Sequence, residues 1–474
     1  MNLRPYQITA IEQLREGFKN HRRQILSLPT GGGKTVVFSH IAQSAANKGK
    51  SVCILTDRIE LLQQAGSTLP IRPYYLTAGA SIPYRAPVIV GMVETVARRL
   101  AKGWNYTPDL LIVDEAHRGN FTKVLEHWSD TPTIGATATP VGKHLAKFYT
   151  NIIDPVQIPD LVADGYLCTY RPIQVQDDLS DLTVQRGEFT AKSLHDHYNN
   201  VKRFHGVVEH YQQHAAGSKA IVFNCDIQHS NNTRDAFRAA GYTSESVTSK
   251  THPDERRRIL AAFRDGHIQI LNNCGILTTG YDEPSIETVI MNRATMSLPL
   301  WLQCCGRGAR IYPGKERFTV IDLGLNHDRL GFWDDTRTWT LDADKKRKSK
   351  PSAPPTKSCP KCNALCLAAA KICVHCGHEF AAEHDQVIGV GVELQRDAPE
   401  YLKGRKLSDL TMADIIALKD AKRYTMNFVI RIARIRGQAA LQELARLKGY
   451  SPKWVQYQLS RRMPGDVFND YFIR

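Results

Sequence analysis

The sequence predicts two successive α/β blocks with mostly parallel sheets, then a small cysteine-bearing module and a helical C-terminal region. Three observations carry this. Short apolar runs alternate with stretches of helical spacing, and they do so twice along the chain. A glycine-rich loop follows the first apolar run, and two pairs of cysteines come after a charged, proline-containing linker. Alternating strand and helix implies parallel strands, because a parallel pair needs a crossover and the helix that supplies it covers the sheet.

In the first block, QILSL (24–28), SVCILT (51–56), PVIVG (87–91), DLLIVD (109–114) and TIGAT (133–137) read as strands, with helices expected over 36–46 and 59–64. Residues 156–215 are more polar and read as a connector and the start of the second block. There KAIVFNC (219–225), SESVTS (244–249), IQILNNC (268–274), ETVIMN (287–292) and FTVIDLG (318–324) are the strand candidates, and 228–240, 253–265 and 298–310 the helices. The resulting division is 1–155, 156–215, 216–340, a basic linker over 341–357, the cysteine module over 358–380 and a basic helical region over 381–474.

The net charge is +15, from 62 Lys and Arg against 47 Asp and Glu. Such a balance favours a polyanionic partner, since each cation laid on a phosphate releases a condensed counterion; a solvated basic surface is the plainer alternative. MNLRPYQITA lacks the basic-then-apolar pattern of a signal peptide. No apolar run reaches the roughly 20 residues that cross a bilayer. These features lead us to expect a cytoplasmic chain with no membrane partner. Of eleven cysteines, five fall between Cys359 and Cys376, which suits metal binding in a reducing compartment better than a disulfide framework.

The stretch LPTGGGKT (28–35) stands between a predicted strand and a predicted helix. In the loop Pro29, Thr30, Gly31, Gly32, Gly33 the glycines let backbone N–H groups, proline's excepted, surround phosphate oxygens, Lys34 can reach the β- and γ-phosphates, and the Thr35 hydroxyl can ligate Mg²⁺. The general pattern places a glycine where this chain has Leu28, so on this loop alone a glycine-rich turn without nucleotide stays open. Asp114 and Glu115 end an apolar strand, where α/β ligands gather. Asp114 can hold Mg²⁺ through water and Glu115 can orient and deprotonate an attacking water.

GGGKT and the Asp114–His117 tetrapeptide together resemble motifs I and II of superfamily-two helicases, and further stations follow in that family's order over about residues 1–325. The resemblance implies two tandem RecA-like domains. It implies that LRPYQ (3–7) reads adenine, with Gln7 on the base edge and Arg4 in support. GATATP (135–140) matches the coupling motif, with Thr137 and Thr139, and His117 belongs to the same coupling set. LTTGYDEP (277–284) supplies Gly280 and Asp282 at the nucleotide. QCCGRGAR (303–310) supplies Gln303 as a nucleotide sensor and Arg307 and Arg310 as arginine fingers reaching the γ-phosphate. For the nucleic-acid backbone it implies Thr56 and Arg58, Gly91 and Thr95, and Thr278 and Thr279. Such contacts position a strand without reading its bases.

CPKC (359–362) and CVHC (373–376) form two C-x₂-C knuckles. Cys359, Cys362, Cys373 and Cys376 would give the tetrahedral S₄ site that zinc prefers. Cys366, His375 and His378 lie close enough to substitute, and a redox dithiol is the competing reading. In the tail, GQAALQELARLKGY and the segment opened by Ser451 and Pro452 read as two helices. They could present a basic face to nucleic acid, or simply bury Leu444, Leu447, Trp454 and Leu459.

The order of motor, zinc ribbon and tail resembles bacterial and phage RadD-type DNA repair helicases. That implies ATP, Mg²⁺ and Zn²⁺ as cofactors, DNA favoured over RNA, and single-strand-binding protein as a possible partner. The expected function is an ATP-driven DNA helicase or translocase in repair, recombination or replication. An RNA helicase, a zinc-containing annealing module with a vestigial motor, and the motor subunit of a restriction or defence complex are the alternatives.

Overall fold

The computed structural model describes residues 3–57, 71–81 and 86–341 apart from positions 143, 176, 186 and 279, and beyond 341 three short strands and most of 402–459. The first block is a seven-stranded sheet of β1 (Arg23–Ser27), β2 (Val52–Thr56), β3 (Tyr74–Leu76), β4 (Val88–Met92), β5 (Leu110–Asp114), β6 (Thr133–Thr137) and β7 (Asn151–Ile153). Its order is β3-β4-β2-β5-β6-β1-β7 and every pairing is parallel. Strands β1, β2 and β6 are buried along their whole length, as expected of a parallel sheet covered on both faces. β3 and β7 escape sequence reading because they are edge strands of three residues each. The helix expected over 59–64 lies outside the described residues.

The second block adds β8 (Thr169–Val175), a two-stranded hairpin of β9 (Val184–Gln185) and β10 (Glu188–Phe189), β11 (Ala220–Asn224), β12 (Ser244–Val247), β13 (Ile270–Asn273), β14 (Thr288–Asn292) and β15 (Arg317–Asp322). Farther on, β16 (Thr356–Ser358) and β17 (Leu365–Leu367) pair antiparallel, and β18 (Gly391–Glu393) returns to the edge of the sheet. The second sheet runs β12-β13-β11-β14-β15-β8-β18, parallel except where β18 lies antiparallel on β8. Within 156–215, β8 and the helices Ala191–Tyr198 and Val201–Ala215 form the start of this block. Pro172 inside β8 hid the strand, since proline interrupts a strand pattern. The helix expected over 298–310 stops at Cys305, because Gly306 and Gly308 follow.

The two blocks are fastened behind their shared cleft. Trp333 is buried against Tyr170 and Phe318 of the second block. Arg337 N–H donates to Gln157 Oε1 (3.1 Å), and Leu341 packs on the core of the first. Helices Met412–Lys422, Met426–Arg436 and Gln438–Lys448 bury Ile415, Val429, Leu441 and Leu444 in a core of their own. Leu444 is buried there, but Leu447 is exposed; Trp454 lies outside the described residues. No described helix is long and apolar enough to cross a membrane.

A buried histidine makes the second block sensitive to acid. Asn292 Nδ2 donates to His229 Nε2 (2.9 Å) and to Asn224 Oδ1 (2.8 Å). Burial holds the His229 pKa down at about 3. An unfolded histidine titrates near about 6.5, so below that pH the unfolded chain binds a proton the folded chain refuses. Stability from this site is therefore complete above about pH 6.5 and is lost as pH falls toward 3, at about 1.4 kcal/mol per pH unit. Thermal melts at about pH 7 and pH 5 should show a larger drop for wild type than for His229→Gln. Equal drops would remove His229 as the cause.

Candidate nucleotide site and nucleic-acid track

Strand β1 delivers the glycine-rich loop to the top of the first sheet, and helix Lys34–Asn47 leaves from it. Gly31 (φ 91°) and Gly33 (φ 76°) occupy the left-handed region, which costs other residues roughly 1–2 kcal/mol. A Cβ on Gly33 would also stand 2.5 Å from Gln7 Nε2. The loop closes through Gly32 N–H to Pro29 O (2.9 Å). Its exit is a helix N-terminus, where backbone donors and the helix dipole favour an anion. Lys34 Nζ donates to Leu28 O (3.2 Å), and burial depresses its pKa. Glu115 and Asp114 are its acidic neighbours, and a phosphate at the loop would add further negative charge beside it. Thr35 follows in the first helical turn.

Asp114 and Glu115 project from the end of β5, one strand removed from the loop because β6 lies between β5 and β1. Burial and the adjacent Glu115 carboxylate push Asp114 up to about 7. Glu115 itself is left-handed (φ 51°), a conformation rare for a residue with a side chain and often stored at functional turns. Its Oε2 lies 3.3 Å from His117 Nδ1 and accepts from Gln303 Nε2 of the second block at 3.3 Å. His117 Nδ1 is 2.8 Å from Thr137 Oγ1, which also accepts the Thr139 N–H at 3.0 Å. Thr137 and Thr139 are fully buried, so this chain ties the β5 end to the β6 end. Burial lowers the His117 pKa, against the nearby Glu115 carboxylate.

The carboxyls of half-buried Asp114 and buried Glu115, near Lys34 at the start of the helix that carries Thr35, make a hard-oxygen donor set of the kind Mg²⁺ prefers. The residues present therefore fit a bound Mg²⁺.

The second block faces this site with the turn after helix Leu298–Cys305. A Cβ on Gly306 would stand 2.8 Å from Thr30 Cβ, so the two blocks touch here with no room for a side chain. Arg310 lies over the loop: its Cδ and Nε would be 3.6 Å from a Cβ on Gly31, and Nη2 is 3.4 Å from Asp282 Oδ1. Arg307 is anchored from within its own block, while its charge acts on Lys34 and Glu115 of the first. Its Nε and Nη2 donate to Thr278 O (3.2 and 2.9 Å), and Nη1 donates to Tyr281 O. These carbonyls hold the guanidinium inside its own block, around the turn where Gly280 takes φ 76°. Burial lowers the Arg307 pKa to about 10.

At the far end of the loop, Tyr6 Oη donates to Gly32 O (2.9 Å), Gln7 Nε2 to the same oxygen (3.4 Å), and Arg4 Nη1 to Tyr6 Oη (3.2 Å). The expected base-reading residues thus sit directly on the phosphate loop. Sequence reading missed what lies opposite them. Tyr166, Leu167 and Cys168 lie between the helix Ile158–Ala163 and β8, and contact Arg4, Gly31 and Arg310 respectively. No local motif marks them.

The expected strand track is not a row of open hydroxyls. Thr56, Thr95 and Thr278 are 2%, 7% and 6% exposed. Gly91 in β4 is packed so closely that a Cβ would meet Val96 Cγ2 at 2.9 Å. Asp57 is engaged by Arg118 (2.5 Å). Arg58 and Thr279 lie outside the described residues, as do Cys359, Cys362, Cys373 and Cys376. Among the described residues no group of three or more His, Cys, Asp or Glu is arranged to hold a metal.

Residues 1–142 match a family model described as the type III restriction enzyme res subunit, and residues 200–312 match the helicase conserved C-terminal domain. The 51.5 kDa protein of a Lactococcus phage is 29% identical, with 81% of this chain aligned to 84% of that protein. A proposed ATP-dependent helicase of Saccharomyces cerevisiae, IRC3, is 31% identical over 68% of this chain, which spans only about half (51%) of that relative. A fragment of a proposed HsdR subunit of a type I restriction enzyme from Vibrio vulnificus has the same fold, with a TM-score of 0.54 at 21% identity over 69% of this chain and 66% of that one. With a helicase-type model matched on each block, in chain order, on two RecA-like sheets, the chain belongs to the superfamily-two helicases, an ATP-dependent class of enzyme.

Proposed function

We propose that the protein is a DNA-dependent ATPase of the cytoplasm that moves along or remodels DNA during repair, recombination or replication. The observation that carries this is the split site. The loop, Lys34, Asp114 and Glu115 are on one block. Gln303, Gly306 and Arg310 on the other block approach Glu115, Thr30 and Gly31 respectively.

In this reading the loop amides and Lys34 hold the β- and γ-phosphates. Thr35 and Asp114 would hold Mg²⁺, which neutralises charge on those oxygens when bound. Glu115 orients the attacking water and accepts its proton, with His117 and Gln303 fixing its carboxylate. Arg310 adds positive charge only when the blocks close, so hydrolysis and domain closure are linked. His117, Thr137 and Thr139 transmit the state of Glu115 to the β6 end. A strand crossing the tops of both sheets near Thr56, Arg58, Gly91, Thr95, Thr278 and Thr279 would be shifted as the cleft opens and closes. The four paired cysteines would hold one structural zinc, and single-strand-binding protein would be the partner that brings the motor to its substrate.

DNA is favoured over RNA by the restriction-enzyme relatives; LlaBIII, a restriction-modification enzyme whose structure was solved bound to DNA, has the same fold, with a TM-score of 0.52 at 20% identity, over 68% of this chain and 28% of that one. The same likeness favours a second reading, the motor of a restriction assembly, in which cleavage would appear only with a partner subunit.

The test is steady-state ATP hydrolysis by the full chain without nucleic acid, then with single-stranded DNA, forked DNA and RNA at one salt concentration. DNA should stimulate turnover, and Lys34→Ala should abolish it with an unchanged melting temperature. Stimulation by RNA alone would reassign the substrate, and a flat response would refute nucleic-acid coupling. Metal analysis of the same preparation should find one zinc per chain, lost on Cys359→Ser; a zinc-free chain would rule out the ribbon.

A further inference from the structure

The segment joining the two blocks touches the base-reading residues, the phosphate loop and Arg310. The Tyr166 ring lies under the Arg4 guanidinium (4.3 Å from ring centroid to Cζ) and 5.6 Å from the Tyr6 ring. Leu167, 2% exposed, fills the space over Gly31: a Cβ there would meet Leu167 Cδ2 at 2.7 Å. Cys168 N–H donates to Ala309 O (2.8 Å) and its thiol to Arg310 O (3.2 Å). Neither end of this tripeptide is slack. Tyr166 N–H and Leu167 N–H both donate to Leu161 O (2.8 and 3.1 Å), closing the preceding helix, and β8 begins at Thr169.

We propose that Tyr166–Leu167–Cys168 is a clasp that determines nucleotide selectivity. Tyr166 is a positioning residue that holds Arg4 against the base, and Cys168 passes that position to Arg310. This rests on the reading of Arg4 and Gln7 as the base-recognising pair. A guanidinium on a solvated four-bond stem has many orientations; the aromatic face opposite it selects one. Arg4 also donates to Tyr6 Oη, which donates to Gly32 O. The base end and the phosphate loop are thereby joined on one side of Tyr166, and Arg310 is joined on the other. A base that displaces Arg4 would strain the same three residues that seat Arg310. A purine and a pyrimidine would then differ in turnover as well as in binding.

The experiment compares kcat/KM for ATP and UTP in the full chain for wild type, Tyr166→Phe, Tyr166→Leu and Arg4→Ala, with melting temperature as the fold control. Tyr166→Leu keeps the apolar bulk and removes the π-face, so it should fold. It should lower the ATP-over-UTP preference by about tenfold, the scale of a partly desolvated cation–π contact. Tyr166→Phe should retain the preference, because the ring and not the hydroxyl faces Arg4. Tyr166→Leu added to Arg4→Ala should cause no further loss, because the ring acts through Arg4.

Unchanged preference in a folded Tyr166→Leu that hydrolyses ATP would overturn the clasp and leave the motor reading intact. Equal losses on top of Arg4→Ala would reduce Tyr166 to packing. If wild type itself hydrolyses no nucleotide, the reading beneath this one fails instead.

Discussion

Arg310→Ala is expected to lower kcat for ATP hydrolysis by about 10³-fold or more, the scale of an arginine finger. Arg310 is the only one of the two expected fingers whose side chain lies over the phosphate loop, within 3.6 Å of where a Gly31 Cβ would be. Its ion pair to Asp282, at 3.4 Å, joins two partly exposed groups, and such a pair contributes about 0–1 kcal/mol. Removing it should therefore leave the melting temperature nearly unchanged. Arg307→Ala should behave differently. That guanidinium satisfies the carbonyls of Thr278 and Tyr281 inside the second block. Each buried carbonyl left without a donor costs about 1–3 kcal/mol. Activity lost through Arg307 should come with a lowered melting temperature, and activity lost through Arg310 should not. Rapid ATP turnover by a folded Arg310→Ala variant would remove Arg310 from the chemistry.

Gly306→Val should abolish turnover while leaving nucleotide binding to the first block largely intact. Gly306 has an ordinary helical φ of −62°, so its identity is not a backbone requirement. What forbids a side chain is Thr30 of the other block, 2.8 Å from the position a Cβ would take. A valine there must hold the blocks apart by more than an ångström. Glu115 then loses Gln303, and Arg310 leaves Gly31. Misplacement of about 1 Å in a catalytic constellation costs on the order of 10²-fold. Binding of a fluorescent nucleotide, measured beside hydrolysis, separates the two effects. A Gly306→Val variant with normal turnover would show that this contact is no part of the working state.

Both sheets were legible in the sequence because parallel strands buried on both faces read as unbroken apolar runs. β1, β2, β5 and β6 fall within two residues of where the pattern placed them. β8 was hidden by Pro172, and β3 and β7 by their three-residue length. The phosphate loop was legible for a different reason. Its glycines at positive φ and its lysine at the helix start form one contiguous local device. The Asp114–His117 turn is local in the same way.

The pairing of residues far apart in sequence lay beyond such reading. Nothing local says that Gln303 meets Glu115 across 188 positions, or that Arg307 turns inward while Arg310 lies over the loop. Nothing marks Tyr166 as the partner of Arg4. The sequence by itself determined the two-block fold and which short segments face the strand ends, because those depend on periodicity and backbone conformation within a few residues. Only the tertiary structure decided which arginine approaches the nucleotide loop, why Gly306 is a glycine and what stands behind Arg4. Those depend on how closely two separately folded sheets approach, and that distance is set by side-chain packing across the cleft.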